Sequence, residues 1–247
     1  KRQVNILNGS AYAGIVGVTA APAANRLTVS GGNIVLASAQ SGTIEALAGA
    51  VGAGGTAGIA GAVSVNLLSS DAVSDISNLA VDASDAAAGA RTIDVDASLT
   101  SNVNTIGASA GVAGTGAFAG SVAVNTLDGA IVAKLSNASL ATKGAITFDA
   151  VNNADLKAIT AGAAAAGAAA VGASVSINKV GGTTQVSSLN SNLTGSDVSF
   201  DAYSDADMET IGGAGAAGGK AAANAAVSEN KLTSNVSASA TGGTVNA

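Results

Sequence analysis

The sequence predicts an all-β chain, a parallel β-solenoid of stacked units, and three observations predict it. A short block recurs four times at a constant distance from a closing Asn. Each block alternates apolar and polar side chains with the period of a strand. The composition offers mainly small aliphatic residues as core material: 48% of residues are apolar but only 2% are aromatic. Repeats of this length are the signature of stacked architectures, in which each unit covers its neighbour.

The blocks are Ile34–Ser38, Ile93–Ala97, Ile146–Ala150 and Val198–Ala202. Ile93, Val95 and Ala97 share one face, Asp94 and Asp96 the other, as expected of a half-buried strand. Thirteen residues after each block opens stands Leu47, Ile106, Ile159 or Ile211. Thirty-two residues after it stands Asn66, Asn125, Asn178 or Asn230. An earlier arm is expected to end at Asn25, which gives units at 26–66, 67–125, 126–178 and 179–230, with partial units at both ends. The repeat length is 59, 53 and 52 residues where it can be measured. The whole of 1–247 reads as one continuous solenoid, expected to continue in both directions because solenoids need caps.

Between block and Asn runs a Gly/Ala-rich arm, small on both faces in its middle. Helix is the rival there, because Ala is the best helix former and 163–170 holds seven Ala and one Gly. The frequent Gly in the other arms and the alternating ends, such as Ser121-Val122-Ala123-Val124-Asn125, favour strand. The links carry further strand pieces, Ala130–Ser136 and Val186–Ser188, with turn residues at Gly31-Gly32-Asn33, Gly144, Asn190-Ser191-Asn192 and Gly195-Ser196-Asp197. Each unit is expected to supply two or three coils, about ten in all, making a rod roughly 50 Å long. Ile34, Ile93, Ile146 and Val198 should then stack as an inner ladder. The closing Asn residues should form a turn ladder through their amides.

The chain carries a net charge of −6, which excludes a basic nucleic-acid or anionic-membrane surface. It has no Cys, so no disulfide framework or thiolate metal site, and no His, the commonest general base. Asp201, Asp205 and Asp207 cluster with Glu209 and could offer oxygen ligands to Ca²⁺. The spacing matches neither an EF-hand loop nor the Gly-Gly-x-Gly-x-Asp repeat of calcium β-rolls, so a solvated acidic edge is the expectation. Asp94 and Asp96 share a strand face, the minimum for glycoside cleavage, but no aromatic platform or Arg cluster accompanies them. No catalytic residue and no cofactor is therefore expected. The two Tyr and three Phe are too few for a stacking platform.

The order of Gly/Ala arm, Ser-Val-x-Val-Asn ending and Gly-x-Ile-x-Phe-Asp-Ala block resembles the long repeat regions of filamentous-haemagglutinin-like adhesins and leukotoxin-type exoproteins. Gram-negative bacteria secrete these by type V routes. The matching stretches are Ser121–Asn125, Ser174–Asn178 and Gly144–Ala150, and the resemblance covers 25–247. It implies a right-handed parallel β-helix on the cell surface, a shaft that projects a distant binding region toward a receptor the segment does not specify. Lateral self-association through smooth Gly/Ala faces is a further expectation, with membrane contact only through the rest of the protein. The alternative is a pore-forming segment that inserts its arms into a bilayer. Residues 46–70 and 158–178 are long enough, while Lys220 and Asn224 in the fourth arm count against it.

Overall fold

The computed structural model describes residues 1–18, 25–85 and 91–247, and every regular element in them is a β-strand. In chain order these are β1 (Arg2–Val16), β2 (Arg26–Thr28), β3 (Ile34–Gly54), β4 (Ala57–Ser77), β5 (Ala80–Ala83), β6 (Ile93–Ala113) and β7 (Gly116–Asp128). There follow β8 (Ala130–Ser136), β9 (Ser139–Thr142), β10 (Ala145–Ala166), β11 (Ala169–Thr194), β12 (Asp197–Gly218) and β13 (Ala221–Asn246). All pairings are parallel and in register from repeat to repeat. One sheet has four strands in the order β12-β10-β6-β3, and the other has nine, including β1, β4, β7, β11 and β13. This is a parallel β-solenoid.

Each repeat supplies one coil, not two or three. A long strand of the four-stranded sheet runs out, reverses through two residues and returns as a long strand of the nine-stranded sheet. It then turns a corner into a short third side (β2, β5, β9 and the end of β11). With rungs about 4.8 Å apart, four full rungs rise only about 20 Å. Strands of 21 and 22 residues in the four-stranded sheet make each rung about 70 Å wide at roughly 3.3 Å per residue. The described rungs form a broad, shallow slab. The sequence overcounted coils because the reversal hides in the Gly/Ala arm. The run from Ile159 to Asn178 breaks after Ala166 and changes sheet before Ala169.

Register also relocates the earliest arm. Asn5, not Asn25, pairs with Asn66 across β1 and β4, so the first repeat is 61 residues long. Asn25 lies just past the corner instead, its Nδ2 donating to the Asn78 carbonyl at 3.0 Å. The corner is an Asn position in its own right. Asn78, Asn137 and Asn190 have φ of 58°, 47° and 49°, and Gly242 takes the same place with φ 69°. Asn and Gly are the residues that enter this left-handed region most readily. The repeat lengthens at the corners. Ala83 is paired with Thr142, but six more residues separate it from the next block.

The interior tapers. Where three sides meet, the core holds Ile76, Ile93, Leu135, Leu140, Ile146, Phe148 and Leu193, all 2% exposed or less. Phe148 stacks on Phe200 with ring centroids 5.3 Å apart. Farther along come Leu68, Val103, Leu127 and Leu156. At the reversal the buried apolar cluster is Ala alone: Ala60, Ala113, Ala117, Ala119, Ala164 and Ala170. The sheets close like a wedge, and backbone meets backbone at its edge. A Cβ on Gly162 would lie 2.1 Å from the Ala173 carbonyl oxygen, and one on Gly52 2.1 Å from that of Ile59. The reversals also bond rung to rung, with Thr115 N–H donating to the Thr56 carbonyl at 3.2 Å and Ala169 N–H to that of Thr115 at 2.9 Å. At the wide end Arg91 is 1% exposed and donates to the carbonyls of Val29, Ala83 and Ser30.

Candidate functional site

Three axial features carry the chemistry of this molecule: a buried amide ladder, an acidic outer row and apolar outer faces along the wedge.

The amide ladder runs through Asn5, Asn66, Asn125, Asn178 and Asn230. It sits in mid-strand, facing inward, rather than at a turn. Each Nδ2 and Oδ1 pair closes across one rung, Asn5 to Asn66 at 2.7 Å, Asn66 to Asn125 at 2.7 Å, Asn125 to Asn178 at 2.8 Å and Asn178 to Asn230 at 2.9 Å. Thr105 and Thr210 reach it from the opposite sheet, at 2.7 Å to Asn125 and 2.8 Å to Asn178. Asn66, Asn125 and Asn178 are at most 1% exposed. A wholly satisfied amide column of this kind fixes register, because any one-residue slip would bury unpaired amides. Ile34, Ile93, Ile146 and Val198 stack in register on the inner face of the four-stranded sheet.

The acidic row lies outside. Asp96, Asp149 and Asp201 are direct neighbours on β6, β10 and β12, and Asp94 flanks them. Asp94 is held by the hydroxyls of Thr92 at 2.8 Å and Thr147 at 2.7 Å. Asp205 and Asp207 lie farther along the same outward face, past Tyr203, beside Asn153 and Asp155. Lys157 pairs with Asp155 at 3.9 Å. Among the described residues no group of three or more Asp, Glu, His or Cys side chains is placed to hold a metal ion. Desolvation, then the charges of Asp149 and Asp94, push the Asp96 carboxyl above its ordinary value. Desolvation, Asp201 and Asp94 do the same to Asp149.

That row predicts a pH effect. A carboxyl whose folded pKa is raised contributes stability fully present below its unfolded value of about 3.9, lost as pH rises through the folded value. The row therefore opposes folding at pH 7. Asp149→Asn is expected to raise Tm at pH 7 by the equivalent of about 0.2–1 kcal/mol, the cost of like charges directly opposed on a sheet. It should leave Tm at pH 3.5 nearly unchanged. Thermal melts at both pH values check this; equal melts at pH 7 would show the charges to be screened by solvent.

The outer faces of the wedge are apolar. Leu47, Ile106, Ile159 and Ile211, which recur thirteen residues after each block opens, form a ridge outside, 70%, 45%, 41% and 52% exposed. Both faces of the arm are small or aliphatic, so the alternation alone gave no sign of which side was in. On the nine-stranded sheet Val63, Val122, Val175 and Val227 form a second outer column. No helix among the described residues is long and apolar enough to cross a membrane. The expected spans 46–70 and 158–178 are each two strands on opposite sheets.

Comparison with known family models, curated proteins and solved structures finds no match to this chain.

Proposed function

We propose that the segment is a non-enzymatic structural shaft of a secreted bacterial surface adhesin, holding a distal binding region away from the cell. The observation that supports this reading most is the near-identity of its rungs: an equivalent Asn, an equivalent inner Ile or Val and a two-residue reversal recur in all four full rungs. Chemistry that repeats along an axis builds length, whereas a catalytic site concentrates unlike groups at one place. The resemblance to filamentous-haemagglutinin-like and leukotoxin-type repeats supports the extracellular setting.

Removal of one whole repeat tests the reading. Asn125 and Asn178 hold equivalent positions 53 residues apart, so joining Asn125 to Lys179 deletes 126–178 and keeps the register. The bacterium's intact surface protein carrying this deletion is expected to fold, reach the surface and adhere as before. Antibody labelling of whole cells and an adhesion assay read the outcome. Loss of adhesion by a correctly displayed deletion protein would place the binding site in these rungs and overturn the shaft reading.

A further inference from the structure

We propose that two copies of this chain pair side by side through the outer face of the four-stranded sheet along the wedge, tips pointing in opposite directions. This deepens the shaft reading and rests on it for its purpose.

The face is bounded by chemistry. Its inner margin is the row Glu45, Asn104, Lys157 and Glu209, and its outer margin is the reversal, where the last rung carries Lys220. Between them every outward side chain is apolar. The ridge of Leu47, Ile106, Ile159 and Ile211 comes first. The rows beyond it are mostly Gly and Ala, with Val51 and Val112 the largest. A ridge beside a trough is self-complementary under a two-fold axis parallel to the solenoid axis. Placed between the rows of Gly49 and Val51, that axis sets each ridge residue on the partner's outermost row: Leu47 on Ala53, Ile106 on Val112, Ile159 on Ala165 and Ile211 on Ala217.

The operation keeps rungs level, so both copies share one rise per rung and every rung of one meets a rung of the other. It also carries each reversal to the partner's polar margin. Lys220, exposed at the reversal of the last rung, then lies over Glu209 of the second copy, and the pair occurs twice. A bilayer is the poorer occupant, since insertion tip first would drive Lys220 in at the leading edge.

Size sets the strength. The face measures about 26 Å along the strands and about 19 Å across four rungs, roughly 500 Å² per copy. A standard stable interface buries about 800 Å² on each partner. Four rungs should associate weakly and reversibly, and each further rung adds about 120 Å². The contact is therefore suited to a long shaft, where weak rung contacts sum.

Sedimentation equilibrium of 1–247 over a wide concentration range tests the proposal. Wild type is expected to show a reversible dimer. Ile159→Glu, an exposed change that leaves the circular dichroism spectrum unaltered, should weaken it at least tenfold, while Val122→Glu on the other sheet should not. Lys220→Glu and Glu209→Lys should each weaken it severalfold, and the double exchange should restore it. A wild type monomeric at the highest concentration, an Ile159→Glu variant that dimerises normally, or a double exchange that fails to recover would overturn the pairing. So would flotation of wild type, but not Ile159→Glu, with neutral phosphatidylcholine vesicles. Failure here leaves the repeat-deletion result standing, and adhesion lost in that deletion leaves the dimer standing, so the two readings fail separately.

Discussion

Asn125→Asp is expected to destabilise the solenoid by about 3–5 kcal/mol at pH 7, the range seen when a buried charge loses its compensation. Asn125 is wholly buried, accepts from Asn66 Nδ2 and Thr105 Oγ1, and donates from Nδ2 to Asn178 Oδ1 at 2.8 Å. A carboxylate there keeps the two incoming bonds but turns an oxygen toward Asn178 Oδ1 where a donor stood. Burial and that opposing oxygen both raise its pKa. Its stability contribution is then fully present below the unfolded value of about 3.9 and lost as pH rises through the folded one. Acidification should therefore recover much of the loss, since the protonated acid again has an O–H to give.

Two companions make the result specific. Asn125→Ala removes the bonds without adding charge and should cost about 2 kcal/mol with little dependence on pH. Asn230 is exposed on the last rung, where its Oδ1 accepts from Asn178 and Thr210. Asn230→Asp keeps that acceptor in reach of water and should cost under about 1 kcal/mol. Urea unfolding at pH 7 and pH 4 separates the three. Equal losses for Asn125→Asp and Asn230→Asp would mean that the ladder is not a buried column.

How far such features could be read in advance depended on whether the two faces of a strand differ. Ile93-x-Val95-x-Ala97 declares its inner face, because Asp94 and Asp96 mark the outer one. The stacking of Ile34, Ile93, Ile146 and Val198 follows from the same contrast. The arms offer no contrast. Ile106 is outside while Val103 is inside, and nothing but small or aliphatic residues lies between Ile106 and the reversal. The reversal itself was hidden, since a two-residue turn at Gly167-Ala168 looks like its neighbours in an Ala run. Missing it doubled the apparent number of coils and made the arm look long enough to span a bilayer. Asn25 misled for a different reason. It lies just past the corner, level with Leu79, while Gly17 holds the corner place beside Asn78, and only pairing distinguishes such an Asn from a ladder Asn. The corner position does carry a signal in its interval: Gly17, Asn78, Asn137, Asn190 and Gly242 each follow their ladder Asn by twelve residues, whereas Asn25 follows Asn5 by twenty and lies outside that recurrence.

The wedge explains why the arms are composed as they are, and it yields the other large effect. Gly162→Val is expected to destabilise by about 3 kcal/mol, roughly 6–12 °C in Tm for a chain of this length. Gly162 faces inward near the thin edge, and its missing Cβ would press on the Ala173 carbonyl at 2.1 Å and on the Ala173 nitrogen at 3.0 Å. These are backbone atoms fixed by parallel pairing on both sides, with Ala173 bonded between the strands that carry Gly120 and Ala225. Neither sheet can yield at one rung without parting from its neighbours, so the added methyls must open the wedge over several rungs. The outward neighbour is the control. Ala163 points to solvent in the row where Val51 already stands, and Ala163→Val should be neutral or slightly stabilising, as β-branched residues are favoured on a strand. Two identical side chains one residue apart would then differ by about 3 kcal/mol, for no cause but the distance to the opposite sheet. Equal Tm values for the two variants would mean that the sheets are not in contact there. The Ala and Gly of the arms would then need a reason other than close approach.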